Sequence, residues 1–137
     1  MDKNENCLEH ARHNDLALKY LDKKPDFLDW VITMCFYSSL HYVKYYLFPI
    51  TLKATNSKST FKIQTFEQYC TNQRYGISAH KVLNDLVENH ASEIAFEYSN
   101  LFDLCHTARY VDYKIERDVS NHAKQLQKNI KEFCEKA

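Results

Sequence analysis

The chain has 137 residues, of which 45% are hydrophobic, and its 18 basic and 18 acidic side chains give a formal net charge of zero. This length and composition fit one domain with a buried core, and the zero charge argues against a strongly electrostatic DNA-binding protein. Glycine occurs once and proline twice, which disfavours a turn-rich sheet protein and excludes glycine-rich phosphate loops.

The cysteines and the polar start of the chain indicate a reducing environment. The cysteine count is odd, and no pair has the CxxC spacing of metal or redox motifs. The sequence begins MDKNENCLEH, which lacks the apolar core of a signal peptide, and no apolar run approaches the length of a membrane span. We therefore expect a cytoplasmic protein without a membrane segment. The five cysteines are Cys7, Cys35, Cys70, Cys105 and Cys134.

The first part of the chain predicts two long helices. Apolar residues recur at helical spacing over residues 4–22. A second helix is predicted over residues 26–48, where Pro49 stops it. Lys44 is the only charged residue from position 30 to position 48. A helix that is apolar on most sides is typical of the centre of a bundle.

The middle of the chain is less regular. Residues 50–60 are rich in Thr, Asn, Ser and Lys and are predicted to form a loop, followed by a short helix within residues 61–70. A turn is expected around Gly76, and Ser78 can cap a helix that runs to about residue 89.

Two further long helices complete the pattern, over residues 92–109 and 118–136, with residues 110–117 as the connection. The last helix has an apolar seam with spacings of four, three, four and three, which is typical of helical bundles. We predict one domain over residues 1–137, an all-α antiparallel up-and-down bundle with four main helices and one or two short ones. The seam residues are Val119, Ala123, Leu126, Ile130 and Phe133.

Several motifs in this order resemble the HEPN superfamily. The segment FYSSLHYVKYYL, residues 36–47, is preceded by Asp-Trp at positions 29–30. A histidine, His80, follows downstream, and Ala-Arg-Tyr at positions 108–110 lies near a helix end, with Asp112 after it. Each motif alone is weak, but their order and spacing cover nearly the whole chain.

The resemblance implies an all-α bundle that is usually a homodimer and needs no cofactor. Many HEPN proteins are metal-independent endoribonucleases of toxin–antitoxin, phage-defence or RNA-processing systems. Other members are non-catalytic and bind RNA, nucleotide, an antitoxin or a nucleotidyltransferase partner. We therefore expect an RNA-directed protein, either a ribonuclease or a binding module.

The nuclease members carry an arginine followed, after four to six residues, by a histidine. Arg117 and His122 match this pattern. A histidine can act as acid or base near neutral pH, and an arginine can hold the scissile phosphate. The resemblance thus makes this pair the candidate catalytic residues, although one such match also arises easily by chance.

A second hypothesis places RNA or nucleotide binding on the residues that carry the resemblance. Tyr37 and His41 are four residues apart and are predicted to share a helical face. If Arg109 and Tyr110 approach that face, with His80 nearby, they form a phosphate- or nucleotide-binding site. The alternative is that His41 is a hydrogen-bonded core residue.

No metal site is predicted. Glu9, His10 and His13 lie close together in sequence, but zinc needs three or four protein ligands and no convincing further partner is seen. The ten tyrosines and eight phenylalanines are interpreted mainly as core or dimer-interface residues.

Overall fold

The computed structural model describes residues 3–55, 58–73 and 78–136, which fold into a mostly helical bundle. This confirms the predicted all-α class. Short 3-10 turns, Pro25–Phe27 and Ser92–Ile94, lead into α2 and α5. The elements of the described ranges are α1 Lys3–Leu21, α2 Leu28–Leu47, β1 Ile50–Lys53, β2 Thr60–Ile63, α3 Phe66–Gln73, α4 Ala79–His90, α5 Ala95–Tyr110 and α6 Arg117–Lys136.

The four long helices alternate in direction along the chain. Near its start, α2 places Trp30 against Arg109 at the end of α5. Further along α2, Phe36 lies 5.7 Å from the ring of Tyr98 near the start of α5. The two helices are therefore antiparallel, as are the pairs α1–α2 and α5–α6, which short connections join.

Helix α6 packs along α2 in the same direction. Gln127 donates a hydrogen bond to Ser38, and one turn later the ammonium of Lys131 lies 5.9 Å from the ring of Tyr42. α2 and α6 thus form the short diagonal of the bundle. This explains why α2 is apolar on most sides, since α1, α5 and α6 all cover it.

A buried polar network joins three helices. The carboxylate of Asp15 accepts hydrogen bonds from Ser38, from Tyr42 at 2.6 Å and from Gln127 at 2.8 Å. The ammonium of Lys131 lies 3.4 Å from it. Because a buried carboxylate without donors is very costly, this network favours one specific packing of α1, α2 and α6.

The loop predicted over residues 50–60 is shorter in the structure, because residues 50–53 and Thr60 belong to strands. β1 and β2 form an antiparallel pair in which Ile50 faces Ile63, and both side chains are buried. Their burial against the helices stabilises strands that are too short for a clear periodicity. The short helix consequently begins at Phe66, later than the predicted residues 61–70.

The start of α4 follows the prediction closely. Ser78 has extended backbone angles, and its hydroxyl accepts a hydrogen bond from the backbone N–H of Lys81 at 3.2 Å. This is the N-cap expected from the sequence. The turn predicted around Gly76 lies outside the described residues.

None of the helices in the described ranges combines the length and apolar character that a membrane crossing needs.

Candidate ligand-binding cavity

A cavity of about 330 Å³ opens between α2, α4 and α5. Aromatic, histidine and arginine side chains make up much of its wall. This volume lies at the lower end of the range of small-molecule sites. The side chains considered below are Trp30, Tyr37, His80, His106, Arg109 and Tyr110.

Helical periodicity aims these side chains at one place. Trp30 and Tyr37 are two turns apart on α2 and therefore face the same side of it. His106 is three and four residues before Arg109 and Tyr110 on α5, so that these side chains lie on neighbouring turns. The antiparallel packing of α5 on α2 then brings the end of α5 beside Trp30.

The central contact of the cavity is between Arg109 and Trp30. The guanidinium carbon lies 4.3 Å from the centre of the indole ring, a distance at which the cation is attracted to the ring face. Among the ion pairs of the described residues, none includes Arg109. Within the described ranges, no carboxylate therefore competes with a bound anion for the N–H groups of this guanidinium.

The other rings surround this pair at different levels of exposure. Tyr110 is 76% exposed, and its ring centre lies 5.1 Å from that of His106. His80 is half-buried, and its ring centre lies 6.5 Å from that of Tyr37 and 5.7 Å from that of Phe102. The rings that line the cavity therefore range from the half-buried His80 to the largely exposed Tyr110.

Tyr37 stays a neutral phenol at physiological pH. Burial raises the pKa of its hydroxyl, and the neighbouring Cys105 and Tyr110 raise it further, while Arg109 acts in the opposite direction. A neutral phenol can both donate and accept a hydrogen bond. It therefore suits a polar ligand group as well as a packed ring.

The structure separates His41 from the other predicted binding residues. Tyr37, His80, Arg109 and Tyr110 come together in the cavity, but His41 lines a different one, with His10 stacked on its ring at 3.8 Å. Four residues of helix rotate the direction of a side chain by only about 40°. That rotation, with one turn of rise, is enough for α1 to cover His41 while α4 and α5 border Tyr37.

The other predicted pair, Arg117 and His122, begins α6. The Nη1 amino group of Arg117 donates to the carboxylate of Asp22 at 2.7 Å and to its backbone carbonyl at 3.1 Å. Lys124 pairs with the second oxygen of the same carboxylate at 2.8 Å. Arg117 is therefore already engaged in tying α6 to the end of α1.

His122 is exposed, and it follows Arg117 by five residues. On a regular helix this spacing separates the two side-chain directions by roughly 140°. Within one copy of the chain, the two residues do not point to a common phosphate. The catalytic role of this pair stays a prediction.

Sequence reasoning missed two members of the cavity. Trp30 was noted only as part of the resemblance, and His106 was assigned to no site. The relevant signal was the spacing of Trp30 with Tyr37 and of His106 with Arg109 and Tyr110, but this spacing is also typical of core stripes. Among the described residues, no group of three or more His, Cys, Asp or Glu side chains is arranged so that it could hold a metal ion.

No protein-family model, curated protein or solved structure matches this chain.

Proposed function

We propose that this chain is a HEPN-like, non-catalytic binding module that takes a nucleotide unit of single-stranded RNA in the cavity between α2, α4 and α5. The observation that carries this proposal is the Arg109 guanidinium over Trp30 at the mouth of an aromatic cavity, where no carboxylate of the described residues pairs with it. The order of the HEPN-like motifs adds support, because Tyr37, His80, Arg109 and Tyr110 all contribute to this cavity.

The chemistry of the wall matches the two halves of a nucleotide. Aromatic side chains stack on bases that are unpaired, and each stacked base contributes about 1–3 kcal/mol. The exposed ring of Tyr110 and the partly exposed rings of Trp30 and Tyr37 offer such surfaces. Arg109 can hold phosphate oxygens through two parallel N–H groups while its flat face stays on Trp30.

The basic groups of the cavity shape the expected binding. Among the described residues that line it, Arg109 is the only Lys or Arg, so few phosphates would be neutralised there, and stacking rather than counterion release should dominate the affinity. We therefore expect a shallow dependence of the dissociation constant on salt concentration.

The ribonuclease alternative has weaker support, because Asp22 occupies Arg117 and His122 diverges from it. The homodimer implied by the resemblance, and a nucleotidyltransferase or antitoxin partner, also stay predictions. None of them is needed for the cavity to bind a nucleotide.

The chain offers an internal probe for testing the proposal. Trp30 is its only tryptophan, so intrinsic fluorescence reports on the cavity wall itself. A titration would use a six-nucleotide oligouridylate and, separately, uridine 5′-monophosphate. We expect the fluorescence to change with saturation for the oligonucleotide, and more weakly for the mononucleotide.

Two arginine variants make the titration specific. Arg109→Ala should weaken binding by about tenfold or more, because a charge-assisted contact of about 1.5–3 kcal/mol is lost. Arg12→Ala removes the same charge from α1, where Arg12 is exposed and 3.8 Å from Glu135. This control should bind within about twofold of the wild type. Equal weakening by both variants, or no saturable change at all, would refute the proposal.

A further inference from the structure

A second cavity, of about 380 Å³, lies between α1, α2 and the start of α3. Its described wall carries three basic side chains, His10 from α1 and His41 and Lys44 from α2. The carboxylate at the site is Glu67 of α3. Neither the proposed RNA cavity nor the Arg117 segment includes any of these residues.

The three basic groups are held in place. The imidazole rings of His10 and His41 are stacked with centres 3.8 Å apart and planes 18° from parallel. The ammonium of Lys44 lies 4.8 Å from the ring centre of Phe66, and its side chain is only 15% exposed. A lysine buried to this degree has lost most of the freedom that an ordinary surface lysine keeps.

Glu67, the ion-pair partner of Lys44, neutralises the ammonium charge only partly. Glu67 lies 3.3 Å from the ammonium, but its side chain is 73% exposed. Burial acts to raise the pKa of Glu67. The hydrogen bond from its own backbone and the charge of Lys44 act in the opposite direction and outweigh burial, so the pKa is lowered. The carboxylate is therefore ionised and competes with any other anion for Lys44.

The His41 imidazole is neutral at physiological pH. Burial lowers the pKa of His41 to about 4, and the neighbouring His10 and Lys44 contribute in the same direction. An anion placed among these groups would reverse the balance, because an opposite charge favours the protonated imidazole. Anion binding and proton uptake are thus coupled at this cavity.

We propose that the second cavity binds a phosphate group between the His10–His41 pair and Lys44, with uptake of a proton by the His41 imidazole. The titratable and charged groups that face the site are Cys7 and His10 from α1, His41 and Lys44 from α2, and Glu67 from α3. Phosphate suits this set because it can accept hydrogen bonds from imidazolium and ammonium groups on several oxygens.

Nuclear magnetic resonance of the histidine Cε1–H signals, with inorganic phosphate as the probe, tests this site. We expect the signals of His10 and His41 to shift on addition of phosphate. Affinity should be roughly tenfold higher at pH 6 than at pH 8, and His41→Gln should remove most of that difference. The matched control is His13→Gln on the exposed side of α1, which should behave like the wild type.

A second variant keeps the test independent of any loss of folding. Glu67→Gln removes the competing carboxylate and should strengthen phosphate binding severalfold, an effect that damage to the fold would not produce. Weaker binding by this variant, or unshifted His10 and His41 signals in the folded wild type, would overturn the proposal.

A comparison of the dinucleotide UpU with inorganic phosphate distinguishes two sources of the phosphate group. Tighter binding of the dinucleotide UpU than of inorganic phosphate would assign the site to a nucleic-acid backbone. Preference for inorganic phosphate would assign it to a small phosphate compound.

Discussion

Helix α2 has two faces that treat their polar and aromatic side chains in opposite ways. On the face towards α1 and α6, Ser38 and Tyr42 donate hydrogen bonds to the buried carboxylate of Asp15. On the face towards α4 and α5, Trp30 and Tyr37 border an open cavity, and both rings stay more than a third exposed.

The difference separates groups that stabilise the fold from groups that remain able to bind a ligand. A buried donor that already has its acceptor stabilises one packed state and has no hydrogen bond left to donate to a ligand. The Arg109 guanidinium, which contacts only an aromatic face among the interactions described above, keeps its N–H groups for another molecule. Arg117, bound to Asp22, belongs with the first group despite its place at the surface.

The largest effect is expected on the paired face. Asp15→Ala should lower the free energy of unfolding by about 3–5 kcal/mol, because it leaves several buried donors and Lys131 without their acceptor. Urea denaturation followed by circular dichroism measures this loss. The exposed Asp26→Ala serves as control and should change stability by less than about 0.5 kcal/mol. A loss below about 1 kcal/mol for the Asp15 variant would remove the contrast between the two faces.

The open face should show the reverse pattern, with binding affected and stability retained. Arg109→Lys keeps the positive charge but loses the planar guanidinium that stacks on Trp30 and binds phosphate through two N–H groups. We expect RNA binding to weaken about fivefold in the fluorescence titration. The free energy of unfolding should stay within about 1 kcal/mol of the wild type. Unchanged affinity would show that only charge matters at this position.

Arg117→Ala tests whether this arginine is structural. Its hydrogen bonds to Asp22 are partly exposed, so their loss should cost only about 0.5–1 kcal/mol. Urea denaturation at low and high salt measures the cost, which should shrink at 1 M salt. RNA binding at the cavity should be unaffected, and a marked loss of binding would move the interface towards α6.

The pH dependence of stability should show the effect of His41. Because burial lowers the pKa of His41 in the folded chain to about 4, the unfolded chain takes up its proton first as the pH falls. The stability associated with the neutral imidazole is therefore complete above about pH 6.5 and is lost progressively towards pH 4. His41→Gln should flatten this part of the curve in thermal unfolding at a series of pH values. An unchanged slope would place His41 in a solvated environment.

The smallest effect is expected from His122→Ala on RNA cleavage. In EDTA, the wild type and this variant should leave a mixed RNA substrate equally intact if the chain is a binding module. Cleavage by the wild type that the variant loses would instead support the ribonuclease interpretation.

The fold followed from the sequence further than the site did. Apolar spacing and Pro49 placed the first two helices, and the Ser78 cap placed the start of α4, because these signals act locally. The β1–β2 hairpin was not predicted, because its four-residue strands depend on burial of Ile50 and Ile63 against the helices.

At the site, the spacing of α2 alone could not assign Tyr37 and His41 to different cavities. Tertiary packing decides which helix lies next to each residue of α2. Tyr37 lies beside α4 and α5, whereas His41, one turn further along, lies beside α1. The ion pair of Arg117 could not be predicted for a similar reason. Its partner, Asp22, lies 95 residues away in the sequence.

Ultraviolet cross-linking of a 4-thiouridine-labelled oligonucleotide, with the attached peptide identified by mass spectrometry, tests the central claim most directly. The account predicts cross-links at the aromatic residues of the cavity, Trp30, Tyr37 or Tyr110, and their strong reduction in Arg109→Ala. Cross-links confined to α6 around Arg117 and His122, and unchanged in that variant, would contradict it.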